Sequence, residues 1–368
     1  MSNSLLSVNE IAKESLMRLQ NNLVLGNLVH TDFSDEFANK GDTITIRKPA
    51  TFIAKDFTTA TDPQGINESS VAVQLDKIAD VTVEVTSKEL ALNIQDFGKQ
   101  VVEGAMSALA QKIDENIAKL YVDIPYYAGA AGTTPDELAD IANVGKVLHN
   151  NKVPFANRRL VLDPEAQAKL IVLDAIAGAD KSGSIQALRD ANMGKVLGFD
   201  TFMDQNIQTH AKGTLDAAAT GTVDVSVDAN TVVVAAGGNL GTVKKGDIVS
   251  FADTDGKYVV TADAAMLVDG TGSFKVYPAI AADITAKTIT LIANHVASLG
   301  FHRNAFALVN RPQALPLGGA NGYVANYNNL SIRVTMGYTM SSKINTISFD
   351  VLYGVKTLEP KLACRLLG

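Results

Sequence analysis

The stretch Asp96-Phe97-Gly98-Lys99-Gln100-Val101-Val102-Glu103-Gly104-Ala105-Met106-Ser107-Ala108-Leu109-Ala110-Gln111-Lys112-Ile113-Asp114-Glu115-Asn116-Ile117-Ala118-Lys119-Leu120-Tyr121 decides how the rest of the chain is read. Phe97, Val101, Ala105, Leu109, Ile113 and Ile117 recur every fourth residue, with Val102, Met106, Ala110 and Leu120 beside them. That spacing predicts one helix with a broad apolar stripe, leaving Gln100, Glu103, Lys112, Glu115 and Lys119 largely off it. Asp96 is placed to cap its start. At 1.5 Å per residue the helix would be roughly 37 Å long, well beyond the average globular helix.

Upstream the period is two. Thr43, Thr45 and Arg47 alternate with Ile44 and Ile46, and Pro49 ends the run. Alternation resumes at Val71, Val73 and Leu75, breaks at Asp76-Lys77, and returns at Val81, Val83 and Val85. The pattern predicts two long strands joined by a polar tip of about twenty residues, and a connection that long is usually functional. Ser87 is placed to cap a short helix over 88–93. Nearer the N-terminus, Val8, Ile11, Ala12, Leu16 and Leu19 share a helical face, and the polar residues after Asn21 suggest a strap.

Downstream, 122–211 reads as α/β. Thr134-Pro135-Asp136-Glu137 and Asp163-Pro164-Glu165 look like helix starts, each a capping residue followed by proline and acids. Arg159–Leu162 reads as a buried strand, Ser182–Leu188 as a short helix, and 194–203 as a strand kinked at Gly198. From about Ala211 to Asn294 helical periodicity vanishes. Short β runs recur at 223–227, 231–234, 248–251, 257–260, 274–276 and 288–292, separated by Gly and Asp turn signals, which predicts a small antiparallel barrel interposed in the α/β part. Beyond it, 301–309 reads as one buried strand, 316–329 as a Gly/Asn-rich loop, and 330–340, 347–353 and 357–366 as strands.

Composition bounds the class. A chain of 368 residues, 46% hydrophobic and 19% charged, can bury a large core and is not disordered. A net charge of −7 argues against gripping nucleic-acid backbones. The sequence shows no membrane-length apolar run and no signal-peptide pattern, so the expectation is a soluble protein made in the cytoplasm. Chemistry is not signalled. The five histidines (His30, His149, His210, His295, His302) form no zinc spacing. The single cysteine, Cys364, reads as a buried structural thiol. Gly194–Gly198 lacks the Lys-Ser/Thr of a P-loop. Asp253, Asp255 and Asp263 do not match an EF-hand and read as turn acids. No catalytic residue, cofactor or metal is expected.

The order of parts resembles a tailed-phage major capsid protein of the Hong-Kong-97-like fold, more narrowly the P-twenty-two-like coat proteins with an inserted β-barrel. The resemblance rests on Val85–Leu90 leading into the helix, Met193–Asp200, Lys245–Phe251, Phe301–Ala307, Ile332–Val334 and Asp350–Val355, all in the family's order. The inserted region is shorter than that of the type member. The resemblance implies an α+β fold divided into an N-terminal arm (1–41), an extended hairpin loop (42–86), a P-domain spine helix (87–121), an A-domain (122–211), the inserted barrel (212–294) and closing A- and P-domain strands (295–368). It implies an icosahedral shell subunit, found in the virion and made in the host cytoplasm. Its partners would be copies of itself in hexamers and pentamers, a separate scaffolding protein and a portal protein, with double-stranded DNA enclosed without sequence-specific binding. Arg47, Lys48, Lys55 and Asp56 on the hairpin, and Lys245, Asp247 and Lys257 on the barrel, are the expected subunit contacts. The alternatives are an encapsulin-like nanocompartment shell and, in another class, an enzyme or surface adhesin.

Overall fold

The computed structural model describes residues 8–32, 43–47, 70–86, 101–178, 186–215, 222–234, 241–254, 256–267, 271–316, 321–341 and 344–368. The chain begins with helices α1 (Val8–Asn22) and α2 (Leu25–Leu28), then strands β1 (Thr43–Arg47), β2 (Ser70–Gln74) and β3 (Lys77–Thr86) and helix α3 (Glu103–Ala118). Next come β4 (Tyr127–Ala128), α4 (Leu138–Asn150), β5 (Arg158–Leu162), α5 (Pro164–Ile171), α6 (Asp174–Ala177), α7 (Gln186–Asp190), β6 (Lys195–Val196), β7 (Phe199–Met203) and β8 (Thr209–His210). Eight strands follow: β9 (Thr222–Val225), β10 (Thr231–Val234), β11 (Thr242–Val243), β12 (Ile248–Phe251), β13 (Tyr258–Val260), β14 (Ala264–Ala265), β15 (Gly272–Tyr277) and β16 (Ile284–Leu291). The last are β17 (His295–His302), β18 (Phe306–Arg311), β19 (Asn321–Tyr327), β20 (Leu330–Thr339), β21 (Ile344–Thr357) and β22 (Ala363–Leu367). Among the described residues no helix is long and apolar enough to cross a membrane.

The chain divides into two compact units, one of Met1–Leu23, Thr31–Lys112 and Ala307–Leu358, the other of Val24–His30, Ile113–Phe306 and Glu359–Gly368. In the first unit, β18, β21, β20 and β19 form a sheet in that order, and β3 pairs with β21. Helix α1 lies against β19 and β20, burying the expected face of Val8, Ile11, Ala12, Leu16 and Leu19. β1 and β2 form an antiparallel ribbon in register from Thr43↔Gln74 to Arg47↔Ser70. Its inward residues Ile44, Ile46, Val73 and Leu75 pack with Ala307, Val309, Leu352 and Leu358.

In the second unit β4, β22, β17, β5, β7 and β6 form a sheet, with β8 alongside the start of β17. Ile141, Val144 and Leu148 of α4 pack with Leu160, Leu162, Phe199 and Leu366, and burying each is worth roughly 2 kcal/mol. Gly300 lets α4 close on β17, since a Cβ there would collide with Val144. Between β8 and β17 the chain makes a closed barrel in the order β10-β15-β13-β12-β16-β9, filled by residues such as Val223, Val232, Val249, Val260 and Phe274. The six β runs expected over 223–292 are these six staves; in β10 and β15 the alternation is a direct imprint of the barrel's inside and outside, whereas β12 and β13 are short apolar runs bounded by turns.

Several expectations need correction. The helix expected over 96–121 is described from 101, as α3 with a tighter 3₁₀ turn over Lys119–Asp123; its first residues and the short helix over 88–93 lie outside the described residues. The second hairpin strand divides at Leu75-Asp76: β2 stays in the ribbon, whereas β3 pairs with β21 from Lys77↔Tyr353 to Thr86↔Ile344. Gly198 marks a tight hairpin between β6 and β7, with Leu197 and Gly198 both at positive φ. The run 301–309 is two strands, β17 and β18, separated by a 3₁₀ turn at Arg303–Ala305. The loop expected over 316–329 contains β19, paired with β20 around an Asn328-Asn329 turn whose residues both have positive φ. Helix α4 starts at Leu138 instead of after Thr134, because Asp140 Oδ2 accepts from the Asp136 and Glu137 amides while the Thr134 hydroxyl donates to Glu165. The Asp163-Pro164 start holds: the Asp163 carboxylate accepts from the Glu165 and Ala166 amides.

Two glycine substitutions test the packing. A Cβ on Gly354 would run into the Gln74 carbonyl, so Gly354→Ala should cost about 2 kcal/mol or more in urea unfolding. Gly104 lies exposed on α3 with open space around it, so Gly104→Ala should raise stability by up to about 1 kcal/mol.

Candidate functional site

The second unit gathers its buried polar groups where the barrel joins the sheet. Pairing of β8 with β17, His210↔His295, brings together the two chain ends that flank the barrel, and their imidazole rings lie 5.2 Å apart. Opposite them the Lys244–Asp247 turn of the barrel is pressed close. Gly246 has φ +96° there, and a Cβ would strike the Val122 side chain.

Asp247, only 1% exposed, anchors this junction. Its carboxylate accepts from the Lys244 amide at 2.7 Å, the Gly213 amide at 3.1 Å and His210 Nε2 at 2.8 Å. A carboxylate with this many donors can only accept, so His210 carries its hydrogen on Nε2. His210 Nδ1 then accepts from the Tyr121 hydroxyl at 2.9 Å. Arg365, fully buried on β22, donates to the Gly246 carbonyl at 2.8 Å, and its guanidinium lies 5.1 Å over the Tyr121 ring. Burial lowers the Arg365 pKa to about 10, so the group stays charged at neutral pH and balances Asp247. Burial likewise holds His295 at about 4, and its Nδ1–H donates to the Ala293 carbonyl, so this imidazole is neutral. The order hydroxyl, imidazole, carboxylate has the look of a proton relay. Tyr121 and His210 are 7% and 4% exposed, however, and both imidazole nitrogens are already bonded. Chemically the arrangement fastens the barrel; it has no open position for a substrate.

A second fastening lies on α3. Asp114, 2% exposed, interrupts the apolar face of the helix and accepts from the Val24 and Gly26 amides, both at 2.8 Å. It holds the segment that begins α2 against the helix. Burial pushes its carboxyl up to about 7, against the pull of those amides and with a further push from Asp204.

Of the residues expected to contact other subunits, Lys48, Lys55 and Asp56 lie outside the described residues, and Arg47 is placed on β1. The three barrel residues meet groups within the chain. Lys245 Nζ pairs with Asp123 at 3.0 Å, Lys257 Nζ donates to the Tyr127 carbonyl at 3.0 Å and sits 4.0 Å over the Tyr127 ring, and Asp247 is the junction anchor. Cys364 is buried, and burial pushes its thiol up to about 12. Asp263 accepts from the Lys245 amide and Asp253 pairs with Lys287, as turn acids do; Asp255 lies outside the described residues. Sequence reasoning missed Tyr121, His210, His295 and Arg365. One signal was available for two of them, since His210 and His295 bracket the barrel segment.

No curated protein matches the chain. Among solved structures, one described as Mycobacterium phage Che8 aligns with a TM-score of 0.50 and 16% identity, covering 94% of this chain and 90% of that one, which is a likeness of fold. The capsid structure of Cyanophage P-SCSP1u aligns at 0.46 and 13% over 92% and 85%, and the mature capsid of bacteriophage PhiM1 at 0.43 and 12% over 91% and 89%. The family model described as "P22 coat protein - gene protein 5" matches residues 1–261. That span takes in the ribbon, α3, the Asp247 turn and the first barrel strands, and it establishes that the chain belongs to the P22 coat protein family and is a phage major capsid protein.

Proposed function

We propose that copies of this chain close into an icosahedral shell of hexamers and pentamers around double-stranded DNA, with a separate scaffolding protein guiding closure and a portal protein at one vertex. The observation that carries this reading is the family match over residues 1–261. The β1–β2 ribbon supports it. Its base is seated in the first unit's core through Ile44, Ile46, Val73 and Leu75, and residues 48–69, a 22-residue connection rich in polar residues, join its strands. A connection of that length is typically a binding element. Arg47, Lys48, Lys55 and Asp56 are its contact charges toward a neighbouring copy. Ring-closing contacts of this heterologous kind turn modest pairwise energies into a closed particle. The net charge of −7 suits a wall that surrounds DNA without adhering to it.

The division into arm, extended loop, spine helix, A-domain, barrel and closing strands is part of the same proposal. The barrel's role in it is to stabilise the subunit through the Asp247 junction, and Lys245 and Lys257 reinforce that attachment within the chain. Asp247→Ala leaves two amides, an imidazole and the buried Arg365 without their anion, so the subunit should lose about 3 kcal/mol or more in urea unfolding. An unchanged midpoint would remove the junction from the account.

Negative-stain electron microscopy of the purified protein, alone and with its scaffolding partner, tests the reading as a whole. Closed particles of uniform size are expected. Only monomers or small oligomers under both conditions would contradict it.

A further inference from the structure

Across the first unit's sheet, three charged residues stand in one row on neighbouring strands. Arg333 on β20 is opposite Asp350 on β21, and Asp350 is opposite Asp80 on β3. Two carboxylates directly opposite one another would repel, so a sheet that keeps them has to neutralise one. Arg333 hydrogen-bonds to only one member of the pair. Its Nε and Nη2 both donate to Asp350 Oδ2, at 3.0 and 2.6 Å, and its Nη1 donates to the Ala314 carbonyl.

Counting hydrogens at the other oxygens locates what is missing. The Thr82 hydroxyl lies 3.1 Å from Asp80 Oδ2. The Ser348 hydroxyl lies 2.7 Å from Asp80 Oδ1 and 3.0 Å from Asp350 Oδ1. Ser348 has one hydrogen and two carboxyl oxygens in reach. If it donates to Asp80 at the shorter distance, the contact to Asp350 Oδ1 needs a hydrogen supplied by Asp350 itself. We propose that Asp80 and Asp350 share one proton held on Asp350 Oδ1, and that this proton is a pH-sensitive fastening of β3, the strand that follows the β1–β2 ribbon, onto the sheet.

The electrostatics agree with the geometry. Burial, then the bond shared with Asp80, push the Asp350 carboxyl above the usual carboxylate range, against Arg333 and Ser348. Asp80, despite the upward push of its own partial burial, is held below that range by hydrogen bonds from Asp350, Ser348 and Thr82 and by the Arg333 charge. The Arg333 charge reaches both carboxyls, Val324 is the residue opposite Arg333 on β19, and Glu84 lies farther along the same exposed face of β3. The signs follow. The raised Asp350 makes the folded state bind a proton that the unfolded chain releases, so its contribution is complete in acid and is lost as pH rises through its folded pKa. The lowered Asp80 contributes above its unfolded pKa and is lost only in stronger acid. Attachment of β3 is therefore tightest in the window between the two.

Asp350→Asn tests this, because the amide keeps an acceptor for Arg333 and presents a fixed N–H to Asp80 whatever the pH. The full chain and this variant are compared from about pH 5 to pH 8 by thermal unfolding and by amide hydrogen exchange over Ile78–Val83. The wild-type midpoint should fall relative to that of the variant as pH rises, with β3 amides opening several-fold more often at the alkaline end, while the variant's β3 amides do not respond. Parallel profiles would overturn the proposal, as would recovery of wild-type protection at alkaline pH on adding magnesium alone, which would make the pair a cation site. Infrared spectroscopy of the wild type supplies a reading that holds even where Asp350→Asn prevents folding. Asp114 contributes a carboxylic-acid band of its own, so the reading is a difference: a second such band, present in the wild type and lost in Asp80→Asn, is expected, and identical spectra for the two proteins would end the proposal.

Discussion

A buried carboxylate sets the architecture of the second unit. Asp247 sits in the turn that leads from β11 into barrel strand β12, yet its partners come from three places: the Lys244 amide of that turn, the Gly213 amide on the chain entering the barrel, and His210 on the sheet. Taking an anion out of water is costly unless its lone pairs are filled. The barrel is therefore held where those donors converge, because any other placement would strand the charge. The interior of the barrel is apolar and exerts no such selection. Hydrophobic burial closes the barrel; the polar junction decides where it is attached, and Arg365 and Gly246 add the matching cation and the close approach.

The same division of labour recurs elsewhere. On α3, a run of apolar positions makes the helix, and the single acid within that face, Asp114, determines which segment of chain lies on it. In the first unit, β21 supplies the long central strand, and most of its pairing is generic backbone bonding. The row Arg333, Asp350 and Asp80 is particular to one register. A slip by one residue would turn these groups to the opposite face of the sheet. In each case non-directional burial gives the element and a small number of buried charges gives its partner.

This division also explains what could be read from the sequence. Helix α1 and barrel strands such as β10 and β15 were legible because one face of each is buried and the period shows it, at Val8, Ile11 and Leu19 or at Val232 and Val234. The start of α5 was legible because Asp163 and Pro164 are local signals. The run Phe301–Val309 was not, since an unbroken apolar stretch does not reveal that it passes from one sheet to another. Strand β19 was hidden by its polar, Gly- and Asn-rich composition, although the Asn328-Asn329 pair that turns it into β20 is a hairpin signal in its own right. The junction was least legible. The charge of Asp247 is visible in the sequence, but spacing along a chain does not tell which distant amides and imidazole will surround a carboxylate.

Native-state amide exchange of the isolated subunit addresses the central claim most directly, at the two amides bonded to Asp247. If the carboxylate positions the barrel, the Gly213 and Lys244 amides should exchange as slowly as those of the barrel strands, although both lie in connecting segments. Exchange at the rate of exposed turns, with the barrel strands still protected, would show that the barrel stands without the junction and would contradict it.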